Sequence, residues 1–373
     1  MAEPLRVLQV VPNMQQGGIE NFIMNLYRRI DRERVQFDFL YHYSGDFYFD
    51  DEIRSLGGKI YRIPIRDGKV SLMNYRSELA SFFSKHTEYR VVHGHMATTA
   101  WVYLGAARRA GVSRRIVHAH ENSYIRDLRG ITRMLLIKQA WRNATDRFAC
   151  SPEAGRYFFG NRAFDVVPNA IDAKRFLFSG RDRTSFRAKM GIPQDEFLIG
   201  HVGRFDKEKN HEFLLEILKR LRDDRVNASL LLVGTGKRLE EIKKRSDDLS
   251  VANYVYYAGV MDHPELAYSA MDFFVLPSYF EGFSLVGIEA QCSGLPCLFS
   301  SNVSSAASLT DSAIFLSLDA GPGRWAQELV SRRKVRSGCG ADALSRASSL
   351  GYDIAGCASM MQETYLKMDV TVA

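Results

Sequence analysis

Short β-branched and aromatic runs alternate with longer amphipathic stretches along nearly all of the 373 residues. Apolar runs predict strands at residues 5–11, 36–41, 59–63, 90–93, 115–118 and 147–150. Helical spacing over residues 20–30 and 76–84 falls between them. Such alternation predicts parallel sheets with helices on both faces. It pauses at residues 164–172, where Pro168 and Asn169 are turn residues, and residues 173–183 are polar. A second series follows at 197–203, 228–234, 255–259, 272–277, 296–300 and 313–318. Residues 319–350 are weakly patterned and rich in Ser, Gly, Ala and Arg, and residues 353–368 read as a helix. The fold class is therefore α/β. Two Rossmann-like domains with doubly wound parallel sheets, residues 1–170 and 171–352, face a central cleft. The terminal helix packs back on the first.

Composition narrows this reading. No run approaches the ~18 apolar residues of a transmembrane helix. Residues 1–6 lead straight into an apolar strand, without the basic and long apolar regions of a secretory signal. Five scattered cysteines form no C-x-x-C, which speaks against a disulfide framework and suits a reducing cytoplasm.

Charge adds a possible partner. The net charge is +7, but residues 1–170 hold 25 Lys+Arg against 17 Asp+Glu, and the rest 25 against 26. Residues 101–150 alone hold 10 against 3. A one-sided basic surface suits an anionic membrane or polyanion. Arg126, Arg129, Arg133, Lys138, Arg142 and Arg147 lie among Leu128, Ile131, Leu135 and Trp141, as in a basic amphipathic helix on a bilayer. The same pattern serves a plain outer helix. No nucleic-acid-binding signature occurs, so nucleic acid is not an expected partner.

Four places carry candidate chemistry. Gly17-Gly18, between the first strand and helix, allow close backbone approach to an anion at the helix start, or make a simple turn. Arg204 and Lys209 flank a loop after the first strand of the second series. Two cations at a strand's carboxyl end suit a diphosphate, although a solvated loop has the same look. Glu281 precedes a helix expected to start near Phe283 or Ser284, and Glu289 lies about one turn in. Carboxylates on both sides of an anion-binding helix end suit a ligand with hydroxyls flanking a phosphate, that is, a nucleotide sugar. The alternative is a capping Glu and a surface Glu. Finally, His93-Gly-His95 and His118-Ala-His120-Glu121 end two successive strands. Period-two alternation puts His118 and His120 on one side. A polar active-site edge, ordinary buried histidines and a zinc site are the readings, the last lacking the usual ligand spacing.

Taken in order, these motifs with Val167-Pro-Asn-Ala-Ile-Asp172 resemble the retaining GT-B glycosyltransferases of family 4. Phe315…Asp319, Trp325-Ala326 and Gly351-Tyr-Asp-Ile354…Tyr365 resemble the subgroup that builds bacterial exopolysaccharide and capsule. The resemblance implies an enzyme that transfers a sugar from a nucleotide-sugar donor, UDP-linked, to a lipid-linked saccharide acceptor. The acceptor belongs to the first domain and the donor to the second. It implies that Arg204 and Lys209 hold the diphosphate, with Gly17, Gly18 and the backbone of Gly282, Phe283, Ser284, Leu285 and Val286. Glu281 would hold the sugar, Glu289 the ribose, and the backbone at Val260 and Met261 the base. His120 takes the place of the family's active-site histidine. His93, His95, His118 and Glu121 remain for the acceptor side. No Asp-x-Asp occurs, so no metal or cofactor is expected. After Ser300-Ser301, where the family pattern often has Asp and then Glu, Asn302 and Ser304-Ser305-Ala306 stand here. Without a signal and with its basic first half, the protein is expected in the cytoplasm, peripheral at the inner face of the membrane through residues 101–147. A nucleotide-sugar 2-epimerase and a non-catalytic sugar-binding protein are the alternatives.

Overall fold

The computed structural model describes residues 3–68, 70–96, 98–120, 140–281, 284–333 and 340–370. The chain forms two compact units, Met1–Ala170 with Ile354–Ala373, and Ile171–Asp353. In the first unit the strands are β1 (Leu5–Val11), β2 (Val35–Tyr41), β3 (Ile60–Arg62), β4 (Val91–Gly94), β5 (Arg114–Ala119), β6 (Asp146–Ala149) and β7 (Asp165–Val166). They lie in the order 3-2-1-4-5-6-7, each paired parallel to its neighbour. The second unit has β8 (Phe197–Val202), β9 (Ala228–Val233), β10 (Val255–Gly259), β11 (Phe273–Leu276), β12 (Cys297–Ser300) and β13 (Ala313–Leu316). Their order is 10-9-8-11-12-13, again all parallel.

Helices cover both faces of each sheet, so the central strands are apolar on both sides. Alternation distributes them. In β1, Leu8 and Val10 join one buried cluster, Val7 and Val11 the other. In β8, Leu198 goes to one face and Phe197 and Ile199 to the other. The helix Ile354–Val370 belongs to the first unit. Its buried residues Ile354, Cys357, Ala358, Met361, Tyr365 and Met368 recur every three or four positions and join the cluster of Val7, Phe37 and Val91.

Three stretches differ from the sequence expectation. The weak pattern of 319–350 contains the helices Gly321–Ser331 and Ala341–Ser349. The first is anchored by Trp325, fully buried, whose Nε1 donates to the Ser317 carbonyl at 3.0 Å. The second buries only Ala343 and Ala347, small residues that leave little hydrophobic signal. The pause before Pro168 contains β7, a two-residue edge strand with both residues exposed. The polar stretch 173–183 contains the start of the helix Gly180–Met190, capped by Ser179 Oγ accepting from Asp182 N. No helix among the described residues is long and apolar enough to cross a membrane.

Candidate functional site

In the second unit the loop after β8 is built by close backbone approach. Gly203 N donates to the Val233 carbonyl at 2.9 Å, and Phe205 N to Thr235 at 3.0 Å. A Cβ on Gly234, where φ is +131°, would lie 2.1 Å from the Gly203 carbonyl oxygen, and one on Gly236 2.6 Å from that of Phe205. Both positions therefore require glycine, a feature the sequence reading missed although Gly-Thr-Gly closes β9. Phe205 is buried and stacks on His211 with centroids 4.1 Å apart. Asn210, in the left-handed region at φ 56°, caps the helix His211–Asp223 and donates from Nδ2 to the Pro277 carbonyl.

This scaffold holds Lys209 against Glu281 in a direct ion pair, both side chains largely buried. Glu281 also bridges to Val303, just past β12. Lys209 and Glu281 therefore meet, as the sequence suggested, but each already has the other as partner. Arg204 differs: its side chain is 80% exposed and pairs with Asp206 at 3.3 Å. The expected second cation sits in solvent with its own acid beside it.

Gly282 and Phe283 lie outside the described residues. The following helix is Leu285–Cys292, and Ser284 Oγ accepts from Gly287 N at 3.2 Å. Glu289 accepts a 2.7 Å hydrogen bond from Tyr268 Oη. Burial raises its pKa to about 7, and the Tyr268 hydroxyl opposes that rise. Tyr268 was not foreseen, and an aromatic residue twenty-one positions upstream gave no signal. After β10, Val260 is 52% exposed and Met261 packs against the core.

In the first unit Gly17 caps the helix Gly18–Arg29. A Cβ there would lie 2.2 Å from Glu20 Oε2, so the glycine lets the Glu20 carboxylate fold over the helix start. That negative charge already complements the helix dipole.

The four histidines converge at the carboxyl ends of β4 and β5, on one face as alternation requires. Small residues separate them because the other face is tight: a Cβ on Gly94 would lie 2.0 Å from the Tyr103 hydroxyl. His93, His95 and His118 are at most 7% exposed. Their ring nitrogens meet each other, Gln9, Tyr365 and His120. These three are core groups with internal partners. Burial holds all three well below the ordinary histidine pKa, and His120 at about 4. His120 Nδ1 lies 3.2 Å from Asn169 Oδ1. Glu121 lies outside the described residues.

Part of the basic stretch is engaged within the fold. Arg115 bonds the carbonyls of Asn143 and Val112, and Arg114 that of Met368. Arg147 is partly buried, whereas Arg108, Arg109 and Arg142 are exposed. Arg126, Arg129, Arg133 and Lys138 lie outside the described residues.

Comparison with known proteins adds an independent line. The family model described as glycosyl transferases group 1 matches residues 182–313, and that of Glycosyltransferase Family 4 residues 16–175. EpsF of Bacillus subtilis (strain 168), which carries the name of a glycosyltransferase, is 33% identical over 306 residues, 80% of this chain and 79% of its own. The UDP-Gal:alpha-D-GlcNAc-diphosphoundecaprenol alpha-1,3-galactosyltransferase of Escherichia coli is 24% identical over 79% of this chain and 78% of its own. A crystal structure of Anabaena Alr3699/HepE in complex with UDP matches with a TM-score of 0.80 at 18% identity, covering 97% of this chain and 100% of that one.

The Glu289 carboxyl makes a prediction about stability. Its pKa is about 7 in the folded chain against an ordinary 4.5. The folded state therefore holds the proton more tightly. The stabilisation is complete below about 4.5 and is lost as pH rises through about 7. Glu289→Gln keeps an acceptor for Tyr268 and removes this titration. Its melting temperature relative to wild type should rise between pH 5 and pH 8, equivalent to about 1–3 kcal/mol, and then level off. Calorimetry across that range checks it, and a pH-independent difference would refute it.

Proposed function

The chain belongs to the family 4 glycosyltransferases, retaining enzymes of the GT-B fold that use nucleotide-sugar donors, and from that footing we propose its particular reaction. It transfers a sugar from a UDP-linked donor to a lipid-linked saccharide during assembly of an exopolysaccharide or capsule. The similarity to EpsF supports glycosyl transfer, and the resemblance of residues 315–319, 325–326 and 351–365 to the exopolysaccharide and capsule subgroup supports the pathway class. The lipid diphosphate acceptor named for the Escherichia coli relative supports the acceptor class, and the UDP in the Anabaena structure supports the base.

The observation that carries the donor assignment is the group around Lys209. Lys209 and Glu281 form an ion pair, and the helix that follows Glu281 carries a second carboxylate, Glu289, one turn in and hydrogen-bonded to Tyr268. An ammonium has three donors, so Lys209 can keep Glu281 and still reach a phosphate oxygen. Glu281 has a further oxygen for a sugar hydroxyl. Arg204 is free to swing from Asp206 to the diphosphate. Glu289 with Tyr268 serves the ribose, and the exposed Val260 backbone region with Met261 serves the base. Gly17 or Gly18 and the backbone of Ser284 and Leu285 complete the donor set, together with Gly282 and Phe283.

The chemistry is a front-face displacement with retention. As the sugar–phosphate bond breaks, charge gathers on the nucleoside diphosphate. Fixed cations and helix N–H groups aimed at that charge supply the largest catalytic contribution. Lys209 and Arg204 provide it without a metal ion. His120 borders the transferred sugar.

Three measurements test this reading. Glu289→Ala should weaken UDP binding roughly tenfold or more in calorimetry, since losing a charged hydrogen-bond partner costs about 1.5–3 kcal/mol. Glu281→Ala should leave UDP affinity nearly unchanged and lower turnover instead, because UDP has no sugar for it to hold. The reverse pattern would overturn the assignment, and release of an epimerised sugar without acceptor would replace transfer by epimerisation. Turnover should survive EDTA. Loss restored only by Mg²⁺ or Mn²⁺ would mean the two cations do not suffice.

We also place the protein at the inner membrane face through residues 101–147. Each Lys or Arg at an anionic surface contributes about 1 kcal/mol. Flotation with anionic but not neutral vesicles, weakening with salt, is the expected result. Equal binding to both, or to neither, argues against it.

A further inference from the structure

The four histidines form an ordered array. His93 and His118 lie edge to edge, with planes 9° apart and Nε2 to Nδ1 3.2 Å. His95 and His120 repeat the arrangement at 27°, with Nδ1 to Nε2 2.8 Å. The two pairs stack, His93 on His95 at 4.3 Å and His118 on His120 at 4.0 Å between centroids. One row ends at Tyr365 Oη, 2.6 Å from His93 Nδ1. The other runs from Gln9 Oε1, 2.9 Å from His95 Nε2, to Asn169 beside His120 Nδ1. Ligand nitrogens of His93, His95 and His118 fall within 4.8 Å of one another. Nearly parallel rings, however, aim their in-plane lone pairs along the rows and not at one point, which suits hydrogen bonding and not a shared ion.

Counting protons gives the array a direction. Burial keeps the rings neutral, with one proton each. Between two amide oxygens, the His95–His120 row would need three protons on two rings. One amide therefore presents its nitrogen, a choice that the network decides. The Gln9 side chain acts to lower the Tyr365 pKa, the effect of a nearby amide N–H. With its nitrogen on that side, its oxygen accepts from His95 Nε2 at 2.9 Å. His95 Nδ1 then accepts from His120 Nε2, and Asn169 turns its nitrogen toward His120 Nδ1. In the other row Tyr365 donates to His93 Nδ1, and His93 Nε2 to His118 Nδ1. The remaining proton sits on His118 Nε2, which has no partner in hydrogen-bond geometry among the described residues but is favoured by the Val167 backbone.

We propose that Gln9, Tyr365, His93, His95 and His118 are positioning residues that lock His120 in a single ring plane and tautomer, with the proton on Nε2 and the lone pair on Nδ1. Gln9 couples the two rows, so the direction of one fixes the other. The consequence for turnover rests on the reading of His120 as the site histidine. The lock itself does not.

Imidazole ¹⁵N shifts of the full chain test it, with His120 assigned by its loss in His120→Gln. The wild type should show His120 as one tautomer, protonated on Nε2. Tyr365→Phe and Gln9→Leu each remove the directing group, and either should give averaged shifts of both tautomers. Hydrolysis of UDP-galactose or UDP-glucose, whichever the enzyme accepts, should slow roughly ten- to a hundredfold, with the donor KM within about twofold. His86→Ala, outside the array, should change neither. A His120 that stays in one Nε2–H tautomer in both variants overturns the proposal, whatever happens to turnover. So does one equivalent of tightly held zinc in the purified protein. Mixed tautomers with undiminished turnover would confirm the lock and remove His120 from the site instead.

Discussion

All strands of each sheet run the same way, so every strand in a unit delivers the residues that follow it to one edge. That constraint decides where chemistry can gather. In the second unit it brings together Gly203–Lys209 after β8, Val260 after β10, Glu281 after β11 and Val303 after β12, residues far apart in sequence. In the first it places Gln9, the four histidines and Asn169 along β1, β4 and β5 and after β7. The helices that follow contribute their N-terminal ends at the same edge. The apolar faces set by alternation hold the strands rigid, and the polar ends vary.

In each unit the charges at the strand ends are satisfied locally. Lys209 has Glu281, Arg204 has Asp206, the start of the helix Gly18–Arg29 has Glu20, and Glu289 has the Tyr268 hydroxyl. A partly buried ion pair gains little net stability, because desolvation offsets attraction. What it provides is placement: Glu281 fixes where the Lys209 ammonium stands after β8. Arg204 gains nothing comparable on the surface, where exposed pairs contribute about 0–1 kcal/mol. The two cations thus differ, Lys209 largely buried against its partner and Arg204 exposed. Glu289, with a pKa near neutrality, can hold or release its proton close to pH 7.

Legibility in the sequence followed locality. Parallel strands and the series break near residue 170 show in the apolar runs because each run is buried on both faces. The helices at Gly321–Ser331 and Ala341–Ser349 show weakly in the sequence because the first buries only Trp325, Ala326, Glu328 and Leu329 and the second only Ala343 and Ala347. Glu281 and Lys209 were legible as residues that follow strands. That they bind each other was not, since seventy-two positions separate them. Asn169 was read as a turn residue although its side chain meets His120. Gln9 did leave a mark, a lone amide in the apolar run Leu5–Val11, where a polar side chain buried at 1% exposure needs a specific partner.

The terminal helix can be understood from the same accounting. Edge-to-edge pairing satisfies the inner nitrogens of the histidines and leaves the outer ones facing apolar surroundings. A buried polar atom without a partner costs roughly 1–3 kcal/mol. β1 supplies Gln9 for one outer nitrogen and the segment after β7 supplies Asn169 for another. Neither reaches His93 Nδ1. Tyr365 does, from a helix whose other buried residues are apolar. Its hydroxyl is raised well above the ordinary tyrosine pKa by burial and so remains a proton donor. The return of residues 354–370 to the first unit is therefore more than apolar cover. It brings a donor to His93 Nδ1, an outer nitrogen of the array that Gln9 and Asn169 leave open, and ties residues 354–370 to the strand ends where His120 sits.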